Sequence, residues 1–260
     1  MSGKEDLAGV LSDLVRGVKE GRWTSIELRS PGYSGELQGF HDGPRFVIHK
    51  LNLAPSVQAL FAGFNKDSTQ RKIRRAEREQ LKYEEGRSEE LLQQFFALVL
   101  QTRRRKALPP PPSAWFRNVV SNVGDDAKIR LARTRNGQLA GGILTLAYKD
   151  KMLFKYGASD ARFHNLGTMP FLLWQAIQDA KAMGASVFDF GRSDFEHHGL
   201  IRFKDHFGTE QTPLMHKLFP ADSSQPGPHN WKMRAASKVF RMLPDSALVL
   251  AGRLIYPHIG

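Results

Sequence analysis

Between residues 127 and 190 the hydrophobic period of the chain switches from strand to helix and back, and this pattern narrows the choice of folds more than any other feature. Ile129, Leu131 and Arg133 alternate with Lys128, Arg130 and Ala132, the two-residue period of a strand. Asn136–Gly137 follows, a dipeptide suited to a two-residue hairpin because both positions tolerate positive φ. Leu139–Tyr148 reads as the returning strand, with Gly141 and Gly142 marking a bulge or a close backbone approach. Lys149 and Asp150 turn into a third strand, Met152–Tyr156. A helix over about 169–183 then places Leu172, Leu173, Ala176, Ile177 and Ala180 at helical spacing and stops at Gly184. Val187–Phe190 is a short buried strand. Residues 199–207 read as a helical turn and Leu214–Phe219 as a last strand, so the pattern calls for an α/β fold with a mixed sheet.

Upstream, residues 1–23 carry a weak amphipathic helix, and strand-like runs follow at 24–28 and 46–51 around a turn-rich stretch. A short helix is expected over 55–64 and a basic one over 68–79, capped by Ser68 or Thr69. Ser88–Arg104 is the clearest amphipathic helix, with Glu89 and Glu90 in its first turn and Arg103–Lys106 at its end, matching the helix dipole. Pro109–Pro112 stop it, and another short helix spans 113–122. Residues 221–229 read as a linker before a basic amphipathic tail, 230–260.

Composition removes several function classes. The chain has 260 residues and no cysteine, which excludes disulfides, zinc–thiolate sites and a cysteine nucleophile, and fits a reducing compartment. No stretch approaches the ~20 apolar residues of a spanning helix, and no secretory signal is visible. With 38 Lys+Arg against 26 Asp+Glu the net charge is +12, which suits an anionic partner or simply a cation-rich surface.

Six segments in order, QRKIRRAERE, LQTRRRKALPPPP, GGILTL, KYGASD, FDFGRS and GLIRFKDHFGTE, resemble the FemAB-related branch of the GNAT acyltransferase superfamily over about residues 46–220. The resemblance implies a GNAT-like α/β fold with a mixed, largely antiparallel sheet. It implies a transferase domain over 67–220 and, in 1–66, the remnant of a first GNAT-like repeat. The implied activity is acyl or aminoacyl transfer to an amine in peptidoglycan or exopolysaccharide biosynthesis, with acyl-CoA or aminoacyl-tRNA as co-substrate, a cell-envelope precursor as acceptor, and no bound cofactor. The implied place is the cytoplasm, with peripheral contact at the inner membrane face. The alternative is a non-catalytic basic adaptor at that surface, derived from such a transferase.

The implied site is centred on Phe203 and Lys204, with Lys204 supporting the donor ester carbonyl or an RNA phosphate, as a cation aimed at developing negative charge can. Tyr156 is either a general acid near the leaving group or a rim-packed aromatic. Arg162, Asn165, Gly167 and Thr168 match part of the turn with which relatives hold a pyrophosphate at a helix N-terminus, or form a plain strand-to-helix connection. Asp189 and Arg192 follow a buried strand, where α/β sheets place ligands; Arg192 suits a phosphate, and Asp189 is either a site residue or its partner. Arg71, Arg74 and Arg75, with Lys72 and Arg78, make a helical row that binds phosphates or stays solvated. Asp194, Glu196, His197, His198, Asp205 and His206 fit no zinc spacing, and no metal is expected. In the tail, apolar Trp231, Val239, Phe240 and Leu248 alternate with Lys232, Arg234, Lys238 and Arg241, which suits an anionic membrane surface or packing on the domain.

Overall fold

The computed structural model describes residues 2–31, 37–220 and 243–256. Its contacts divide the chain into two compact units. One comprises Met1–Ile48, Arg192–Ile201 and Gln211–Asn230, and the other His49–Gly191, Arg202–Glu210 and Trp231–Gly260. The division falls at 48/49, and two late segments join the opening of the chain.

In the first unit, helix α1 (Ser2–Lys19) precedes β1 (Ile26–Pro31) and the two-residue β2 (His41–Asp42). Both strands pair antiparallel with β9 (Glu210–Phe219), β1 in the register Ile26↔Phe219 and β2 in the register His41↔Leu218. Strand β3 (Phe46–Asn52) begins here and continues into the second unit.

The second unit holds α2 (Val57–Gly63), a π-helical turn (Lys66–Gln70), α3 (Arg71–Arg78), β4 (Lys82–Gly86), α4 (Glu89–Arg105) and α5 (Ser113–Val123). Then come β5 (Ala127–Arg133), β6 (Leu139–Tyr148), β7 (Lys151–Ser159), α6 (Thr168–Ala182), β8 (Val187–Asp194), α7 (His198–Asp205) and, near the end of the chain, α8 (Asp245–Ile255). Strands β4 to β7 form an antiparallel meander, and β8 joins β7 in parallel, Lys151↔Val187. The sheet is thus mixed and mostly antiparallel, as the order of elements predicts.

Alternation along these strands builds two cores on opposite faces. Ile143, Met152 and Phe188 pack with Ile73 of α3 and with Leu172, Leu173 and Ile177 of α6. Ile129, Leu131 and Leu144 pack with Phe95 and Leu98 of α4 and Phe116 of α5. Gly141 and Gly142 mark close approaches: a Cβ on Gly141 would lie 2.7 Å from Thr168, and one on Gly142 2.9 Å from Phe95. A register shift also falls here, since Ala132 pairs with Gly141 but Arg133 with Leu139, and a second bulge follows at Leu144/Thr145.

Two local expectations change. The expected cap of the basic helix, Ser68 or Thr69, is inside a π turn instead; Asn65 caps that turn, accepting from the Ser68 amide at 3.0 Å, and α3 follows directly from Gln70 without a side-chain cap. Strand β4 was not expected, because Lys82, Glu84 and Glu85 hide its period; charges of this kind protect a sheet edge.

Candidate functional site

Strand β8 and helix α7 bring the conspicuous charge together. At Gly191, whose φ is 70°, β8 bends, and its amide donates to Asp189 Oδ1 at 2.7 Å. The Gly191 carbonyl accepts from Lys204 Nζ at 2.9 Å. Lys204 is only 2% exposed, and burial pulls its ammonium pKa down to about 8 against the opposing pull of Asp189. Phe203 is half-buried, its ring 5.6 Å from that of Phe207, which meets Phe190 at 5.1 Å and Phe64 at 5.2 Å. This aromatic packing anchors α7 and so fixes where Lys204 sits.

His49 belongs to the same neighbourhood, and the sequence reading missed it. It is fully buried, with Nδ1 3.3 Å from Asp205 Oδ1 and 3.5 Å from Thr209 Oγ1. Its Nε2 finds no hydrogen-bond partner among the described residues. Burial lowers its pKa first and the Lys204 charge adds to this, while Asp205 and Asp189 oppose. The signal was present: in Phe46–Asn52, Val47 and Leu51 are buried alternate residues, and His49 takes the position between them.

The loop 160–168 carries the residues expected for a pyrophosphate turn. Arg162 is engaged by Asp160 at 2.6 Å, and Asn165 is exposed in a 3-10 turn. Gly167 has a φ of 78°, and a Cβ there would lie 2.2 Å from the Lys72 carbonyl of α3. Its glycine therefore serves the packing of α3 against the start of α6. Thr168 is buried and donates to the Phe163 carbonyl at 3.3 Å.

Tyr156 lies in the core formed with α4 and α5, whereas Phe203 packs on the other core. The bulge explains it: Tyr156 pairs with Leu144 but Phe154 with Thr145, so residues two apart face opposite sides. Arg103 donates to the Tyr156 hydroxyl, and burial raises that hydroxyl's pKa. The structure thus does not bring Tyr156 to Lys204.

Along α3, Arg71, Lys72, Arg74 and Arg78 are exposed, while Ile73 and Ala76 are buried. Arg75 pairs with Glu79 at 3.7 Å, and Arg74 lies over the Phe61 ring at 5.5 Å. In the first unit, Arg192 stacks on Phe46 at 4.6 Å, and burial lowers its pKa. The acidic and histidine residues near 194–206 have separate engagements: Asp194 accepts from the Glu196 amide at 2.9 Å, and His206 meets Ser68 at 2.7 Å.

Of the tail, the linker 221–229 and residues Trp231, Lys232, Arg234, Lys238, Val239, Phe240 and Arg241 lie outside the described residues. Helix α8 packs within the second unit: Leu248 is fully buried, and Arg104 binds the Leu243 carbonyl at 3.0 Å and Asp245 at 2.5 Å. Among the described residues no helix is long and apolar enough to cross a membrane.

A family model described as an acetyltransferase (GNAT) domain matches residues 65–204, just over half of the chain, and the chain belongs to that family. The crystal structure of FemX is similar, with a TM-score of 0.66 at 18% identity, over 82% of this chain and 77% of that one. So is L-PGS from Bacillus licheniformis, with a TM-score of 0.50 at 12% identity over 78% and 67%. A tandem GNAT protein from the clavulanic acid biosynthesis pathway gives 0.51 at 14% identity over 81% and 68%. At these identities the likeness is one of fold. No curated protein matches the sequence.

Proposed function

We propose that this chain transfers an aminoacyl group from an RNA ester to an amine during assembly of a cell-envelope polymer. The observation that carries this reading is the buried Lys204, held by the Gly191 carbonyl at the bend of β8. Family membership supports acyl transfer in general, and the fold likeness to FemX agrees with the ordered motifs of the FemAB-related branch. Between the two donor classes, aminoacyl-tRNA is favoured over acyl-CoA, because Gly167 backs onto the Lys72 carbonyl where a pyrophosphate turn would need open space.

In the proposed step the acceptor amine attacks the ester carbonyl. A C–N bond forms, the C–O bond to the ribose breaks, and the proton lost by nitrogen ends on the departing ribose oxygen. Lys204, as ammonium, steadies the oxyanion; Phe203 and Asp189 position it. A fixed cation at that oxygen is worth on the order of 10²-fold in rate.

The test uses the full chain with alanyl-tRNA, or acetyl-CoA in a parallel arm, and a muramyl pentapeptide precursor bearing a free amine. Amide product is read by mass spectrometry. Lys204→Met is expected to lower kcat about 10²-fold, and wild-type kcat to decline as pH rises through about 8, where the ammonium loses its proton. Wild-type kcat in Lys204→Met, with loss in Arg74→Ala, would move the site to α3. Transfer from neither donor would end the reading.

A further inference from the structure

The second unit has a cavity of about 390 Å³ where the end of α3, the β5–β6 hairpin and the loop before α6 converge. The geometry points to a ribonucleotide-binding subsite here, at which a single-stranded segment of RNA docks; the inference rests on the RNA-ester reading of the donor.

The volume falls in the range of small-molecule sites, ~300–1,000 Å³. Its wall supplies each chemical need of a nucleotide. Arg78 and Arg135 provide two guanidinium groups, and among the described residues neither is in an ion pair. Guanidinium forks match phosphate oxygens. The half-buried ring of Phe163 gives an apolar wall on which a base can stack, and its own position is steadied by Arg162, 5.2 Å from the ring. Asn136 and Gln138 offer amides that both donate and accept, as the edge of a base requires. Glu79 is the carboxylate of the wall; it accepts hydrogen bonds, which suits ribose hydroxyls, and its charge is already shared with Arg75.

The walls are preformed. Gly137, with a φ of 80°, closes the hairpin tip; the Thr134 amide donates to Gln138 at 2.8 Å and the Gly137 amide to Thr134 at 2.9 Å. On the opposite side, just beyond α3, Gln80 has a φ of 53° and its amide donates to the Glu77 carbonyl at 3.0 Å.

Charge beyond the cavity selects a polymer over a free nucleotide. Arg78 is the last of the exposed row that includes Arg71, Lys72 and Arg74, and the eight residues of α3 extend it by about 12 Å. One phosphate cannot use so long a row, whereas successive phosphates of a strand can.

The experiment measures fluorescence anisotropy of a labelled single-stranded RNA of about 12 nucleotides against the full chain, over a salt series, with 3′-phospho-ADP as competitor. Replacing Arg78 and Arg135 by Gln together is expected to weaken binding about tenfold or more and to reduce the salt slope by about 1.4, the share of two phosphate contacts. Phe163→Leu is expected to weaken binding on the order of tenfold with the slope kept, as loss of one stacked base does. Circular dichroism melting of both variants checks that they fold. Unchanged affinity and slope in folded variants would overturn the site, and if alanyl transfer persisted it would leave the donor reading standing. No RNA binding by the wild type, together with transfer from acetyl-CoA, would overturn both; stoichiometric binding of 3′-phospho-ADP in place of RNA would reassign the cavity to a free nucleotide.

Discussion

Two cations are buried in the same unit, and their surroundings differ. Arg130 is fully buried and answered by acids: it reaches Glu85 at 2.5 Å, Thr145 at 3.1 Å, and also Asp179 and the Tyr83 hydroxyl. The β4–β5 register sets Glu85 opposite Arg130, and α6 brings Asp179 over the same face. Burial alone would raise the Glu85 carboxyl, but hydrogen bonds from Lys128 and Tyr83 and the Arg130 charge bring it to about 2. At Lys204 the balance is reversed: burial outweighs Asp189, and the ammonium is weakened to about 8. A cation met by several acids holds elements together, whereas one whose ammonium is weakened by burial is, in the proposed reaction, the group that meets developing negative charge.

The largest effect expected from this contrast is on stability. Arg130→Met should cost about 3 kcal/mol in denaturant unfolding, the lower end for breaking a buried pair, because Glu85 and Asp179 keep 30% and 38% of their side-chain surface in water. A loss under about 1 kcal/mol would show that the network is not a structural clamp.

Next comes the pH response of Lys204. Its folded pKa is about 8 against a reference of 10.5. Between these values the unfolded chain holds a proton that the folded chain has released, so stability relative to Lys204→Met should rise with pH across that window. Parallel melting temperatures of the two proteins from pH 7 to 10 would contradict the burial argument.

A smaller change is expected at the closure of α3 on α6. Gly167→Ala places a Cβ against the Lys72 carbonyl at positive φ and should cost about 2 kcal/mol, visible as a lower Tm. An unchanged Tm would mean that the loop is free to open, and would return the pyrophosphate turn to contention. The smallest effect is expected at α8: Asp245→Asn removes a pair whose acid is 62% exposed and should shift stability by no more than about 0.5 kcal/mol.

The β5–β7 meander, α6 and β8 were legible because alternation and helical period are properties of neighbouring residues. So were Asn136–Gly137 and Gly184, whose roles depend on local backbone conformation. Phe203 and Lys204 were legible through an ordered motif; their burial was not. Strand β4 escaped because its sequence, KYEEG, is mostly charged, and only pairing with β5 makes it a strand. Arg130 looked like one side of an ordinary alternating strand, since nothing near it in sequence announces Glu85 or Asp179.

The sequence by itself determined the order of elements, the surplus of positive charge and the exclusion of cysteine chemistry, all of which follow from composition or short-range period. Tertiary structure alone decided which cations are buried and which acids surround Arg130. It set His49 against Asp205 across more than 150 residues, turned Tyr156 to the other face through one bulge, and backed Gly167 onto α3. Desolvation and charge pairing depend on distance in space, and a linear chain does not carry that distance until its strands have found their register.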